Sequence, residues 1–465
     1  MKNANDLIGK RVHFVGVGGA GMSGIARIMI SVGAKVSGSD LKLNSVTDNL
    51  ATLGATIFQG HAAENLGDAE LMIVSSAIDE RNPEIKSAID RGIPIISRAA
   101  ALALLMNEKR SVAVAGTHGK TTTTSMLTVA LQHAAADPSF AIGGMINSSG
   151  TNAYLGKSDI FVAEADESDG SFLVYRPFGA IITNIELDHV DNFGTLGDIE
   201  RLFLDFVNSI QVGGFIVACI DDAGVKTLLS QIERDDLQII TYGKSDADFM
   251  ISRIALEPMR SFARITRNGS VLGELALSVV GEHNILNAVA ALASGMALGL
   301  PAATLMEGLT LFSGSRRRFE LKGESNGIRV IDDYGHHPTE VRVTLEAARR
   351  YAQGGRLIVL FQPHRYTRTE AFSEEFAEAL MAADATFLLE IYAASEEPIP
   401  GVSSLRIAQS MNKRGYQEVI FEPSMLEAVE AITSMAKSGD VIITMGAGDV
   451  SSIAPVLVKS IAERD

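Results

Sequence analysis

Two glycine-rich stretches of this chain have residue types and spacings that cradle phosphate. In SVAVAGTHGKTTTTSML an apolar, strand-like run enters Gly116-Thr117-His118-Gly119-Lys120-Thr121-Thr122, and helix-like sequence follows. Glycines let backbone N–H groups converge on phosphate oxygens, and a helix N-terminus adds partial positive charge. Lys120 would bring a point charge to the β- and γ-phosphates, and the Thr121 hydroxyl can ligate Mg2+. The usual G-x-x-x-x-G-K-[ST] spacing is not kept. Val114 stands five residues before Gly119, and the first glycine is Gly116. A strand before and a helix after favour a phosphate loop over a chance Gly-Lys-Thr.

The second stretch, HFVGVGGAGMSGIA, places Gly16, Gly18 and Gly21 between an apolar run and a helix-like one, with Asp40 further on. This is the dinucleotide-binding pattern G-x-G-x-x-G with a downstream acid. Its backbone reads only a pyrophosphate, so it does not separate NAD from any other diphosphate. A dehydrogenase, moreover, has no use for a phosphate loop with Lys-Thr.

Acids stand where strand-like runs end. FVAEADESDGSF carries Glu164, Asp166, Glu167 and Asp169, and AIITNIELDHVDNFG runs into Asp188-His189-Val190-Asp191. Acids after a strand in a phosphate-loop domain commonly hold Mg2+ directly or through water. Successive parallel strands end at one sheet edge, where ligands bind, so His189 is a candidate ligand beside them.

The elements that must position these groups follow an α/β rhythm. Short β-branched runs such as RVHFVGV, SVAVAG, IFVAEA, GAIITNI, RLIVLFQ and DVIITMG alternate with helical patterns, which implies βαβ units and parallel sheets. Charged MNEKR near 107 and glycine-rich SGSRRRFELKGESNG near 321 divide the chain into domains 1–107, 108–321 and 322–465. With 46% hydrophobic and 21% charged residues, the chain can build ordinary cores. A net charge of -16 argues against nucleic acid and anionic membrane as partners. MKNANDLIGK has no apolar h-region, and no apolar run approaches the ~20 residues of a membrane span. Cys219, the only cysteine, sits in an apolar run and reads as a buried thiol. Together these features lead to the expectation of a soluble, cytoplasmic protein.

The motifs GTHGKTTTT, EADESDGSF, TNIELDHVD, GEHNILNAVAA, SRRRFE, DDYGHHPTEV, FQPHRYTRT and MGAGDV occur in this order after FVGVGGAGMSGIA. Together they resemble the Mur ligases that build the bacterial cell-wall peptide, nearly throughout the chain. DDYGHHPTEV and FQPHRYTRT are specific to the branch that adds L-alanine. The resemblance implies three α/β domains: a Rossmann-like N-terminal domain, a central P-loop ATPase-like domain and a C-terminal Rossmann-like domain. It implies ATP-driven joining of L-alanine to the lactyl carboxylate of UDP-N-acetylmuramate through an acyl phosphate, with two Mg2+ ions, in a monomer or homodimer.

Residue by residue, the resemblance assigns ATP to Gly116, Thr117, His118, Gly119, Lys120, Thr121, Thr122, His283, Asn284, Asn287, Arg318 and Asp333. Thr121, Glu164 and His189 match metal ligands, and Lys120, Glu164, His189 and Arg318 form the catalytic set. Asn284 and Asn287 share a helix face, and a paired amide suits the edge of adenine. Tyr334, His336, His364, Arg365 and Arg368 match positions around the amino acid. Gly18, Gly19, Ala20, Gly21, Met22 and Ser23 would cradle the pyrophosphate of UDP, with Asp40, His61 and Ser76 toward ribose, uracil or phosphate.

Sister ligases that add later amino acids use a carbamylated lysine where this chain has Leu204, so that modification is not expected. A murein peptide ligase that recycles tripeptides is the near rival. Compact ESDGSFLVYRPFGA, with Ser168 where that rival carries tyrosine, argues against it. A nicotinamide-dependent oxidoreductase is the rival from another class, supported only by residues 16–40.

Overall fold

The computed structural model describes residues 4–75, 77–190 and 192–464, which fold into three α/β domains, each around its own sheet. The first sheet is parallel, in the order β3-β2-β1-β4-β5, from β1 (Arg11–Val15), β2 (Lys35–Asp40), β3 (Thr56–Gln59), β4 (Leu71–Val74) and β5 (Ile95–Ser97). Strand order reverses beside β1, which opens the crevice where such sheets take ligands, and the first glycine loop leaves β1 there.

The second sheet runs β15-β14-β13-β12-β11-β10-β6-β9-β7-β8. Its strands are β6 (Arg110–Ala115), β7 (Ser139–Ala141), β8 (Ala153–Tyr154), β9 (Ile160–Glu164), β10 (Gly179–Ile182), β11 (Phe215–Cys219), β12 (Gln238–Gly243), β13 (Phe249–Leu256), β14 (Ser261–Arg267) and β15 (Ser270–Leu277). The central strands are apolar and buried on both faces, as parallel strands covered by helices must be. Beyond β12 the expectation of parallel strands fails, because β13, β14 and β15 form an antiparallel meander. The turn Asn268-Gly269, with φ of 48° and 80°, makes the tight connection from β14 to β15.

The third sheet, β16-β17-β21-β18-β19-β20, comprises β16 (Glu320–Ser325), β17 (Ile328–Asp333), β18 (Leu357–Phe361), β19 (Ala385–Leu388), β20 (Val419–Phe421) and β21 (Val441–Met445). Only β16 is antiparallel to its neighbour.

One apolar cluster continues from the first domain into the second, from Leu7 to Leu237. Helix Ala20–Val32 lies against β8, where the Asn152 amide donates to the Ala20 carbonyl at 2.9 Å. Cys219 is buried, and burial pushes its thiol up to about 11. No helix among the described residues is long and apolar enough to cross a membrane.

Candidate active site

β6 delivers the phosphate loop, and its neighbours β9 and β10 deliver the groups that hold it. Gly116 has φ of 130°, and a Cβ there would overlap the Thr183 hydroxyl just after β10. Gly119 has φ of 81°, and a Cβ would stand 2.8 Å from Asn287 Oδ1. Both positions therefore exclude larger residues. Asn184 Oδ1 accepts from the His118 N–H at 2.8 Å, and the Thr183 hydroxyl donates to the His118 carbonyl at 2.6 Å.

Helix Lys120–His133 follows, although its run of four threonines is poor in helix propensity. Hydroxyls of Thr124, Ser125 and Thr128 donate back to carbonyls one turn earlier, and the run is largely buried, so packing holds it. The first backbone bond of the helix runs from Thr123 N to Gly119 O. The N–H groups of Lys120, Thr121 and Thr122 are thus left at the helix start, together with its positive dipole end.

Lys120 Nζ donates to the carbonyls of Gly116 (2.6 Å) and Thr117 (3.1 Å) and to Glu167 Oε1 (2.8 Å). Burial disfavours its charge, but Glu167 and Asp166 outweigh burial and raise its pKa. The Thr121 hydroxyl donates to Glu164 Oε1 at 3.0 Å, and Glu164 Oε2 accepts from Gly143 N at 2.7 Å. His189, with φ of 51°, sits 3.6 Å from Glu167 Oε1 and 3.8 Å from Asp188 Oδ2 through Nε2. Of the expected metal set, the structure joins Thr121 to Glu164 directly and links His189 to Lys120 through Glu167. Glu167 Oε2 is buried without a hydrogen-bond partner, so an oxygen-rich site with an unsatisfied carboxylate fits a hard cation such as Mg2+. Asp191 lies outside the described residues.

A cavity of about 480 Å³ opens beside the loop, lined among others by Gly119, Thr122, Asn284, Asn287, Arg318 and Asp333. Asn284 and Asn287 lie one turn apart on helix Glu282–Ala297, 3.4 Å from each other. Burial, then the Arg318 charge, pushes His283 down to about 4.

Arg318, just before β16, and Asp333 line the cavity, and Tyr334 follows Asp333. Asp333, at the end of β17, accepts from the N–H groups of Phe319 and Gly335, both at 2.8 Å, and burial pushes it up to about 6. Arg318 lies 5.1 Å from the Tyr334 ring and 3.6 Å from Glu340 Oε1. Tyr334, His336 and His364 form a chain of ring contacts at 5.1 and 5.8 Å. Arg368 Nη1 lies 3.3 Å from His364 Nδ1, while its Nε and Nη2 hold Asp188. Arg365 does not share a helix face with Arg368. It precedes helix Tyr366–Leu380 with φ of 70° and lies 3.8 Å from Glu396.

Two residues without an expected role tie the second and third domains together. Glu340 approaches His118 Nδ1 at 3.4 Å, and Glu186 Oε2 accepts from the Thr339 hydroxyl at 2.7 Å. His118 lies between the two carboxylates. Burial lowers its pKa, but Glu186 and Glu340 outweigh burial and raise it to about 9.

In the first domain, Asp40 Oδ2 accepts from Gly18 N at 2.9 Å, which fixes the glycine loop. Gly19 caps helix Ala20–Val32, whose first backbone bond is Ser23 N to Gly19 O, so the N–H groups of Ala20, Gly21 and Met22 are left at its start. Met22 and Ser23 are themselves buried, which limits their part to backbone and packing. His61 Nδ1 lies 2.9 Å from Ser39 Oγ and 3.3 Å from buried Glu84. Ser76 lies outside the described residues.

Fold and site define a three-domain α/β protein with a phosphate loop beside an interdomain cavity. "Mur ligase family, catalytic domain" describes residues 11–110, "Mur ligase middle domain" 114–295 and "Mur ligase, glutamate ligase domain" 317–448. The UDP-N-acetylmuramate–L-alanine ligase of Saccharopolyspora erythraea is 48% identical over 459 residues, 97% of this chain and 93% of its own. The crystal structure of the UDP-N-acetylmuramate-alanine ligase of Thermotoga maritima matches with a TM-score of 0.82 at 32% identity, covering 97% of this chain and 98% of that one. A murein peptide ligase of Psychrobacter arcticus matches at 0.73 and 26% identity, covering 98% and 100%. The chain belongs to the Mur ligase family.

Proposed function

We propose that this chain is the ATP-dependent ligase of cell-wall precursor synthesis that joins L-alanine to the lactyl carboxylate of UDP-N-acetylmuramate. The observation that carries the reading is the phosphate loop, with Lys120, Thr121 and Glu164 converging beside a cavity that Arg318, just before β16, and Asp333, at the end of β17, also line. The names of its full-length relatives give the substrates.

The glycine loop of domain 1–107 holds the pyrophosphate of UDP, domain 108–321 holds ATP, and domain 322–465 brings the amino acid. The lactyl carboxylate attacks the γ-phosphorus and ADP leaves. The alanine amine attacks the resulting acyl carbon, and the tetrahedral adduct expels inorganic phosphate as the amide forms. Lys120 neutralises charge on the transferring phosphoryl group, and Arg318 meets the same charge from the segment leading into β16. Asn284 and Asn287 take the adenine edge. Tyr334, His336, His364, Arg365 and Arg368 surround the amino acid. Thr121, Glu164 and His189 would hold Mg2+, which when bound reduces repulsion between carboxylate and polyphosphate.

Phosphate release from ATP and UDP-N-acetylmuramate, assayed with each of the twenty amino acids in turn, tests the reading. Release should require the UDP-sugar and be fastest with alanine. Glycine and serine should also be accepted at reduced rates, since a missing methyl discriminates by only ~1–3 kcal/mol and an added hydroxyl is not strongly rejected. Release driven only by a tripeptide would replace this reading with the recycling one.

A further inference from the structure

Apart from the Mg2+ ligands proposed above, one set of donors among the described residues converges at the boundary of the second and third domains. It comprises His118 in the phosphate loop, Glu186 after β10, and His337, which caps helix Pro338–Tyr351. One donor atom from each lies within 4.8 Å of the other two. His118 Nε2 is 3.4 Å and His337 Nδ1 is 3.9 Å from the same oxygen, Glu186 Oε2. Neither contact is a hydrogen bond. The Nε2 atoms of both histidines are buried without a hydrogen-bond partner, while His337 Nδ1 accepts from the Thr339 N–H at 3.3 Å. The two imidazoles are 11% and 6% exposed, while Glu186, at 34%, keeps one side open to the cavity.

We propose that His118, Glu186 and His337 form a binding site for a transition-metal ion of the Zn2+ class, separate from the Mg2+ ligands. Two imidazoles and one carboxylate suit Zn2+ or Co2+, whereas Mg2+ prefers an all-oxygen shell. Donors about 2.1 Å from a tetrahedral ion stand about 3.4 Å apart, which is the His118–Glu186 spacing. His337 would close the remaining gap with a shift of its ring that releases the Thr339 N–H from Nδ1. Groups behind the donors already orient them. Glu340 stands at the opposite nitrogen of His118, the carboxylate-behind-imidazole arrangement of many metal sites, and Thr339 donates to Glu186. The fourth position faces the cavity. An ion here ties the phosphate loop to the third domain and holds the two together.

Full-length protein, stripped with a chelator and dialysed against Co2+ in excess Mg2+, tests this without any substrate, so its outcome is independent of the ligase reading. One Co2+ per chain is expected, with the intense visible absorption of four-coordinate Co2+. His337→Ala and Glu186→Gln should each abolish that band and weaken uptake at least about tenfold, whereas Glu164→Gln should keep both. No saturable uptake, a weak six-coordinate spectrum, a band that survives His337→Ala and Glu186→Gln, or one lost with Glu164→Gln would overturn the proposal. If His337→Ala does not fold, as judged by circular dichroism, Glu186→Gln at the more exposed side chain decides.

Discussion

Arg368 and Asp188 form a buried ion pair that joins the third domain to the second. Arg368 Nε and Nη2 lie 3.0 and 2.8 Å from the same oxygen, Asp188 Oδ1, and both side chains are at most 5% exposed. The guanidinium holds the Asp188 carboxyl far below the usual range, against burial. Asp188 directly precedes His189, so the pair connects the third domain to the proposed metal ligand His189. Removing one partner leaves a buried charge uncompensated, at a cost of roughly 3–5 kcal/mol. Arg368→Ala should therefore lower the thermal midpoint markedly, and Asp188→Asn added to it should recover part of the loss. A wild-type midpoint in Arg368→Ala would contradict this account.

Lys120→Ala should abolish turnover and leave UDP-sugar binding intact in calorimetry. The two glycine loops belong to different sheets, so one lost charge at β6 does not reach the crevice beside β1. Loss of UDP-sugar binding would show that the two sites are not separate.

Glu164→Ala and His189→Ala should each raise the Mg2+ concentration needed for half-maximal rate and lower kcat steeply. Glu167→Gln should do the same by a different route. Its carboxylate holds Lys120 at 2.8 Å and approaches His189 at 3.6 Å. Unchanged Mg2+ dependence in the first two variants would remove them from the metal site.

His118 gives a pH dependence with a definite sign. Its folded pKa, about 9, lies above its ordinary value of 6.5, so its charge stabilises the fold fully below 6.5. That contribution is lost as pH rises through about 9. The groups facing it are Glu186, Glu340 and the His337 ring, 4.6 Å away. In chelator-treated protein the thermal midpoint should fall over this window more in the wild type than in His118→Gln. Parallel curves would mean that His118 does not carry the charge.

Much of this site was legible in the sequence because its parts are local. Each glycine loop lies between a strand and a helix, and positive φ at Gly116 and Gly119 needs no distant partner to be expected. Asn284 and Asn287 share a face by helical period alone. The Asn268-Gly269 turn, which marks the hairpin that breaks the parallel pattern, carries a local signal that the expectation of parallel sheets did not take up. Other features depend on tertiary approach. In EADESD, no local pattern says that Glu167, rather than Asp166 or Asp169, meets Lys120. The approach of Glu340 to His118 joins residues of different sheets, and nothing near either residue announces it. Arg365 shares no helix face with Arg368 because the helix begins one residue later, and Arg365 takes φ of 70° just before it.

The acyl-phosphate route is tested most directly by isotope transfer. UDP-N-acetylmuramate labelled with 18O in its lactyl carboxylate should be turned over with ATP, Mg2+ and L-alanine, and the released phosphate analysed by mass spectrometry. If a carboxylate oxygen attacks the γ-phosphorus and the amine later expels phosphate, one labelled oxygen leaves with each phosphate and the other stays in the amide. Phosphate carrying that single label, with formation dependent on alanine, is the predicted result. Unlabelled phosphate, or release that proceeds without the UDP-sugar, would contradict the account.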